Sequence, residues 1–405
     1  MSSRAVVRGR SRRVGAFAAA LAAVIALAGC NSDDSGTAGS GGSGSQETQV
    51  AAAPAEITIT PDDGTKKVKT AKKVKVAVAE GTISDVRVAS ATGSKIKGSL
   101  NADKTEWTSK TKLKAATGYT VAVTAANTDG VAAEKSASFS TIVPDGQVTA
   151  YTVPGNGWTV GVGMPIVVHL SKAVSESKRD AVVDALKVDT GDDKIEGAWA
   201  WIDSQQVWYR PKDYWPTGTK VKVTADLTGV EVQNGVWGKK QKTQSKFSIG
   251  SEMISTVDVA KHTMTVRKDG KVIKTIPVTT GKASMATRNG IKVIMSRETV
   301  HTMRSSTVGI PEDSEDGYNI DAKFAMRLTN SGEFIHAADW STGSQGRANV
   351  SHGCTGMSDA NAKWLFDRSK VGDVVVYKNS TREMEKINGY SMWNTSWSGW
   401  QKFDA

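Results

Sequence analysis

Cysteine is nearly absent from this chain: 405 residues hold only Cys30 and Cys354. So sparse a supply excludes a disulfide-built scaffold and a cysteine-rich zinc site. Apolar runs of bilayer length are also missing. The stretch from Val14 to Ala28 has fifteen residues, short of the ~20 that a transmembrane helix needs. No Arg/Lys stripe is interleaved with aromatics, which argues against a nucleic-acid partner.

What is present begins with five arginines and no acid ahead of that apolar stretch, then Leu27-Ala28-Gly29-Cys30. Basic, apolar and small-residue blocks in this order predict an export leader over residues 1–29. Its end resembles a bacterial lipobox, which implies that Cys30 is lipidated and tethers the mature chain to the outer face of the cell membrane. Arg12-Arg13 leaves general and twin-arginine export both open. Loss of the leader reduces the formal charge from +11 to +6, spread through Lys-rich strands that read as solvated faces. Residues 30–54, rich in Gly and Ser, predict a flexible tether reaching about 25–30 Å.

The fold class is mainly β. Over residues 55–146, "EITITPDDG", "KKVKVAVAEG", "YTVAVTAANTDG" and "KSASFSTIV" alternate apolar and polar residues between turn signals, the pattern of an antiparallel β-sandwich. Without a Cys…Trp…Cys framework it is immunoglobulin-like in shape only. Residues 147–250 carry similar strands, "GMPIVVHL", "QVWYRPK" and "TKVKVTADL", and "SESKRDAVVDALKV" predicts one helix. His169 alternates with Val168 and Leu170 and reads as structural. Trp199, Trp201, Trp208 and Trp215, at strand spacing, read as core ahead of a glycan platform.

From residue 251 the texture changes. Two strands flank a Lys268-Asp269-Gly270 turn, a third ends at Gly281, and further strands lead to "GEFIHAADW". Ser358 is a good N-cap for "DANAKWLFDRSK", whose Ala362, Leu365 and Phe366 form an apolar face. Gly372-Asp373 stops it before the strand "VVVYK". This domain spans 251–379. The tail, 380–405, places Trp393, Trp397 and Trp400 at helical spacing and is expected to pack on it.

With Cys30 assigned to lipid, Cys354 lacks a disulfide partner, and its neighbours Gly353, Thr355 and Gly356 are poor core residues. A free thiol there is a candidate nucleophile. Two imidazoles compete as its base: His352, on the same side if the backbone is extended, and His336, seventeen residues away. The helix after Ser358 offers modest help to the thiolate. One thiol and two histidines lack a fourth ligand at zinc spacing, so no metal is expected.

His336, fourteen residues, then Ser351-His352-Gly353-Cys354 resembles the signature of YkuD-type L,D-transpeptidases, the cysteine enzymes that cross-link peptidoglycan. "TTGKASMATRNGIKVI", the lid "MRSSTVGIPEDSEDGYNID" and the Trp-rich tail extend the likeness, and the lipobox, tether and two sandwiches are similar to mycobacterial-type members. The resemblance implies that Cys354 attacks a donor tetrapeptide stem and that His336, oriented by the carbonyl of Ala337, moves the proton. It implies an oxyanion site at the N–H groups of Gly353 and Cys354, with the Tyr318 hydroxyl as a further donor. Met303 and Tyr318 would line the donor pocket, and Ser351 and His352 would shape the site. A 3→3 cross-linking enzyme inhibited by carbapenems and needing no cofactor is expected. An L,D-carboxypeptidase and a peptidoglycan-binding lipoprotein with impaired turnover are the alternatives. One departure stands out: the family usually has an apolar residue and Asn after the cysteine, where this chain has Thr355 and Gly356.

Overall fold

The computed structural model describes residues 52–404. The leader, Cys30 and most of the tether lie outside them. Two β-sandwiches and a third β-rich domain follow one another along the chain. In the first sandwich, Glu56–Thr60, Lys75–Ala79, Glu106–Ser109 and Gly98–Leu100 face a sheet of Gly81–Ser90, Gly118–Asn127 and Ala132–Ser140. Period-2 burial builds its core: Tyr119, Val121, Val123 and Ala125 point in from one strand, opposed by Ile57, Ile59 and Val76.

The second sandwich packs the sheet containing Ile166–Leu170 and Gln206–Pro211 on the one containing Lys220–Asp226 and Lys242–Ile249. The helix expected over 175–188 is much shorter. A 3-10 turn, Glu176–Lys178, leads into helix Arg179–Val183, and Leu186–Asp189 is a strand paired antiparallel with residues 222–225. Val182 and Leu186 still enter one core. An open sheet edge gave Leu186 and Val188 backbone partners that a longer helix could not, so tertiary pairing overrode local propensity. His169 stacks on Tyr151 at 4.5 Å, and Trp201, Trp208 and Trp215 are buried.

In the third domain, a five-stranded sheet runs in the order Lys271–Pro277, Thr263–Lys268, Met253–Asp258, Val374–Lys378, Gly290–Val293. Asp269 and Gly270 both have positive φ, the geometry of a tight primed hairpin turn. The strand expected to reach Gly281 ends at Pro277, and only single bridges follow, Thr279 to Gly356 and Gly281 to Ser351. A second sheet joins Ser296–Arg304, Asn319–Arg327, Phe334–Ala337 and Thr355–Met357. Helix Asp359–Arg368 starts at Ser358, whose hydroxyl accepts from the Asn361 N–H, and buries Ala362 and Leu365. Among the described residues no helix is long and apolar enough to cross a membrane.

The tail touches two domains: it bonds to the third through Asn388 with Ser331, Asn394 with Ile291 and Glu385 with Arg288, and it also reaches the second sandwich. A 3-10 turn, Met392–Asn394, and a single helical turn, Trp397–Trp400, lie against the second sandwich. Trp393, Trp397 and Trp400 donate their indole N–H groups to Gly163 O, Glu196 Oε1 and Ala198 O. Met392 reaches Val293 of the third domain within the same apolar cluster. The cause of the second-sandwich contact is Arg210, a buried guanidinium whose charge collects all three indole faces.

Candidate active site

Register decides which side chains meet. Phe334–Ala337 and Thr355–Met357 are parallel neighbours, with His336 opposite Gly356, so the loop between them returns Cys354 to the neighbourhood of His336. Both line a cavity of about 440 Å³, together with Met303, Tyr318, Trp340, Ser351 and His352. Trp340 carried no signal in the sequence reading. It lies 64% exposed at the rim, 5.8 Å from the His336 ring and near-parallel to it.

His336 is buried, and its Nδ1 lies 2.7 Å from the carbonyl of Ala337. A carbonyl can only accept, so Nδ1 carries the proton and the neutral ring keeps its lone pair on Nε2. Burial pulls the imidazole pKa below its ordinary value, opposed by the Ala337 carbonyl. This leaves the ring neutral at pH 7.

Cys354 is half-buried, and its thiol donates to Gly332 O at 3.6 Å. Burial pushes its pKa up to about 11. The backbone of Phe334 and the charges of Lys292 and Arg327 pull the other way, and Glu333 adds to the rise. The help expected from the helix does not outweigh this. Strand Thr355–Met357 stands between thiol and helix, and the Ser358 hydroxyl caps that helix end. The resting thiol is therefore protonated.

His352 is not placed as a base. Gly353 has φ +124°, so the backbone between residues 352 and 354 is not the extended one expected, although both side chains line the cavity. His352 Nε2 instead meets Asp316 Oδ1 at 3.2 Å, and its ring rests 5.2 Å from Tyr318. Lys282 pairs with the same carboxylate, which fastens the lid loop to the nucleophile loop. The Gly353 N–H is also committed, donating to Ser351 Oγ at 3.1 Å, while its carbonyl accepts from Thr287 Oγ1 at 2.8 Å. It is not a free oxyanion donor. Ser351 Oγ in turn donates to Cys354 O at 2.7 Å, so Ser351 shapes the loop. Met303 packs with Phe334 beneath Tyr318 and Cys354.

Gly356 exchanges two backbone hydrogen bonds with Thr279, at 2.9 and 3.0 Å. A Cβ there would stand 2.9 Å from Ala338 Cβ and 3.1 Å from Thr279 Cγ2. The glycine is thus a packing solution on this side of the cavity. Gly356→Asn is expected to destabilise the domain by about 1–3 kcal/mol through overpacking, and Ala338→Gly in the same chain to recover part of it. Urea unfolding of the single and double variants measures both; equal midpoints would refute the steric account. Among the described residues no group of three or more His, Cys, Asp or Glu is placed to hold a metal.

Known proteins match the chain along most of its length. The pattern of a bacterial Ig domain covers residues 65–231, and that of an L,D-transpeptidase catalytic domain covers 252–376. L,D-transpeptidase 2 of Mycobacterium tuberculosis is 35% identical over 351 residues, 86% of this chain and 85% of that protein. L,D-transpeptidase 5 of the same species is 30% identical over 357 residues, 86% and 77% respectively. A solved L,D-transpeptidase in complex with imipenem matches 58% of this chain and 100% of its own, at 37% identity and a TM-score of 0.50. A cavity holding thiol and neutral imidazole, behind immunoglobulin-like domains, agrees with those likenesses: the chain belongs to the L,D-transpeptidase family and is an enzyme of the transpeptidase class.

Proposed function

We propose that this enzyme forms 3→3 cross-links in peptidoglycan through a thioester on Cys354. The observation that carries the proposal is the shared cavity: a protonated thiol and an imidazole whose Nδ1 is fixed on Ala337 O, leaving Nε2 as acceptor. His336 takes the thiol proton as Sγ attacks the carbonyl on the L-centre of diaminopimelate in a donor tetrapeptide stem. The tetrahedral intermediate collapses with return of that proton to the leaving amine, which departs as D-alanine. The side-chain amine of diaminopimelate on an acceptor stem then attacks the thioester, His336 takes its proton, and the thiol is restored.

Oxyanion donors in this reading are the Cys354 N–H and the Tyr318 hydroxyl, since the Gly353 N–H is already used. One such donor is worth roughly 2.7–4 kcal/mol of barrier. Met303 and Tyr318 form the lid-side wall for the donor stem. A family member is solved in complex with imipenem, which supports carbapenems as ligands of this cavity. Anchoring through lipidated Cys30 would place the enzyme on the outer face of the membrane, with the sandwiches as spacers into the wall.

Intact-mass spectrometry after exposure to a carbapenem, and separately to a disaccharide-tetrapeptide, tests the proposal. A stoichiometric adduct absent from Cys354→Ala, with cross-linked dimer as product, is expected. Tripeptide as the sole product would make the enzyme an L,D-carboxypeptidase. No adduct on folded protein would leave a peptidoglycan-binding lipoprotein.

A further inference from the structure

Two hydrogen-bond donors meet beside the cavity on a carboxylate that the lid supplies. Lys282 Nζ and His352 Nε2 both reach Oδ1 of Asp316, the imidazole at 3.2 Å. A carboxylate only accepts, so Nε2 of His352 carries a proton. The backbones that present these donors are tied together: the Lys282 N–H donates to Ser351 O at 2.8 Å, and Gly281 bridges to Ser351. The acceptor lacks that anchorage. Asp316 follows residues 311–315, all exposed, in the lid between the 3-10 turn Ser305–Val308 and strand Asn319–Arg327.

This carboxylate is replaceable. The side chains of Lys282, His352 and Asp316 remain 32%, 28% and 42% exposed, and ion pairs so open to solvent are worth little. Without Asp316, two donors from neighbouring loops would still converge on one point, the arrangement that recognises an anion. An incoming carboxylate that accepted the same two hydrogen bonds would lose nothing that the lid provides. It would also lie close to the chemistry. His352 lines the cavity with Cys354, and two residues span at most about 7 Å. The Tyr318 ring rests 5.2 Å from that of His352 and restrains the imidazole. A donor tetrapeptide carries carboxylates at matching range: one on the terminal D-alanine, a residue beyond the attacked carbonyl, and one on the D-centre of diaminopimelate.

We propose that Lys282 and His352 form a binding site for a carboxylate of the donor stem, which Asp316 of the lid fills until the substrate displaces it. The inference rests on the reading of the cavity as a peptidoglycan-stem site. Asp316 is then an internal competitor: its departure frees the lid as the donor takes its place, and the charge pairing on Lys282 is the same before and after. The two stem carboxylates share this chemistry, and the test separates them.

Donor affinity, measured by NMR titration in the full chain carrying Cys354→Ala so that no turnover intervenes, is the test. Three donors are compared: a disaccharide-tetrapeptide, the same compound amidated at the D-centre of diaminopimelate, and the same compound ending in D-alaninamide. Amidation of the carboxylate that is bound should weaken binding roughly tenfold, the low end for a charged hydrogen-bonded pair that stays partly exposed. Lys282→Met should weaken the unmodified donor by the same factor and leave that amide unmoved, so that the two become equal. Lys282→Arg should restore most of the difference. Asp316→Asn, which removes the competitor, should tighten the unmodified donor and leave that amide unmoved. Equal shifts for all three donors, or none, would make Asp316 a lid clamp only and overturn the proposal. Should Lys282→Met fail to fold, Asp316→Asn decides alone: selective tightening supports the proposal, and an unselective or absent change overturns it. Failure of every donor to bind the folded chain would instead overturn the stem-site reading itself.

Discussion

Replacing His336 with glutamine is expected to slow acylation of Cys354 by roughly 10²–10⁴-fold at neutral pH, the usual worth of a general base. The size of the effect follows from the resting thiol. With its pKa pushed up to about 11, Cys354 holds almost no thiolate at pH 7, so the proton must leave as the bond forms. His336 is built for that step. Its Nδ1–H is spent on Ala337 O, and burial lowers its pKa, so the neutral form with a free Nε2 persists below the ordinary imidazole range. The sign of the pH dependence follows. In the wild type the rate rises with pH as imidazolium loses its proton, below pH 6.5, and then levels. In His336→Gln the plateau disappears, and the rate climbs with pH until the thiol ionises near 11. Acylation rates by a carbapenem, measured across that range by mass spectrometry, separate the two curves. A variant that kept both the plateau and the rate would remove His336 from the base role.

How much of this site could be read in advance depended on sequence distance and on local rules. Cys354 was legible because glycines and a histidine flank it, which no core cysteine needs, and His336 because its strand ends at a fixed spacing from that loop. Competition between His352 and His336 was not resolvable from spacing. It turns on the positive φ of Gly353 and on Asp316, a lid residue 36 positions from His352. Lys292 and Glu333 left a faint trace, single charges in "GIKVI" and "GEFIH", where alternation allows an exposed position equally well. Their pairing spans 41 residues, beyond any local pattern. The thiol's raised pKa was invisible for the same reason, since it comes from burial by the lid-bearing sheet and not from the helix that follows in sequence. Strand alternation set both sandwiches correctly because period-2 burial is a local property. The helical reading failed for residues 186–189, where a neighbouring strand edge competed for the backbone.

Arg210→Ala is expected to release the tail at a cost of about 3 kcal/mol, and the reasoning lies in what this guanidinium has in place of a carboxylate. It is 2% exposed, and burial lowers its pKa to about 10. Nη1 donates to the carbonyls of Pro211 and Lys212, and Nη2 to that of Thr395, at 2.9–3.2 Å. Trp393, Trp397 and Trp400 stand 4.8, 5.3 and 5.5 Å from its carbon. Desolvated cation–π contacts are worth ~2 kcal/mol each and hydrogen bonds from a charged donor ~1.5–3, against which the desolvation of the ion must be set. The remainder holds the tail. Lysine cannot reproduce a planar fork stacked among indoles, so Arg210→Lys should recover little, whereas Arg210→Met keeps the stem's packing and should recover part. Hydrogen exchange resolves the effect by region: the N–H groups of Asn394, Thr395, Trp400 and Phe403, all bonded within the tail, should lose protection before the strands of either neighbouring domain. Unchanged protection there would show that the apolar cluster around Met392 anchors the tail without Arg210. Because Glu385 belongs to the same tail and completes the chain through Arg288 to Glu333, whose Cγ would stand 3.6 Å from a Cβ on Gly353, loosening it should also weaken the ordering of Gly353. Slower acylation in Arg210→Ala, with Cys354 and His336 untouched, is the functional consequence of a contact made on the second sandwich.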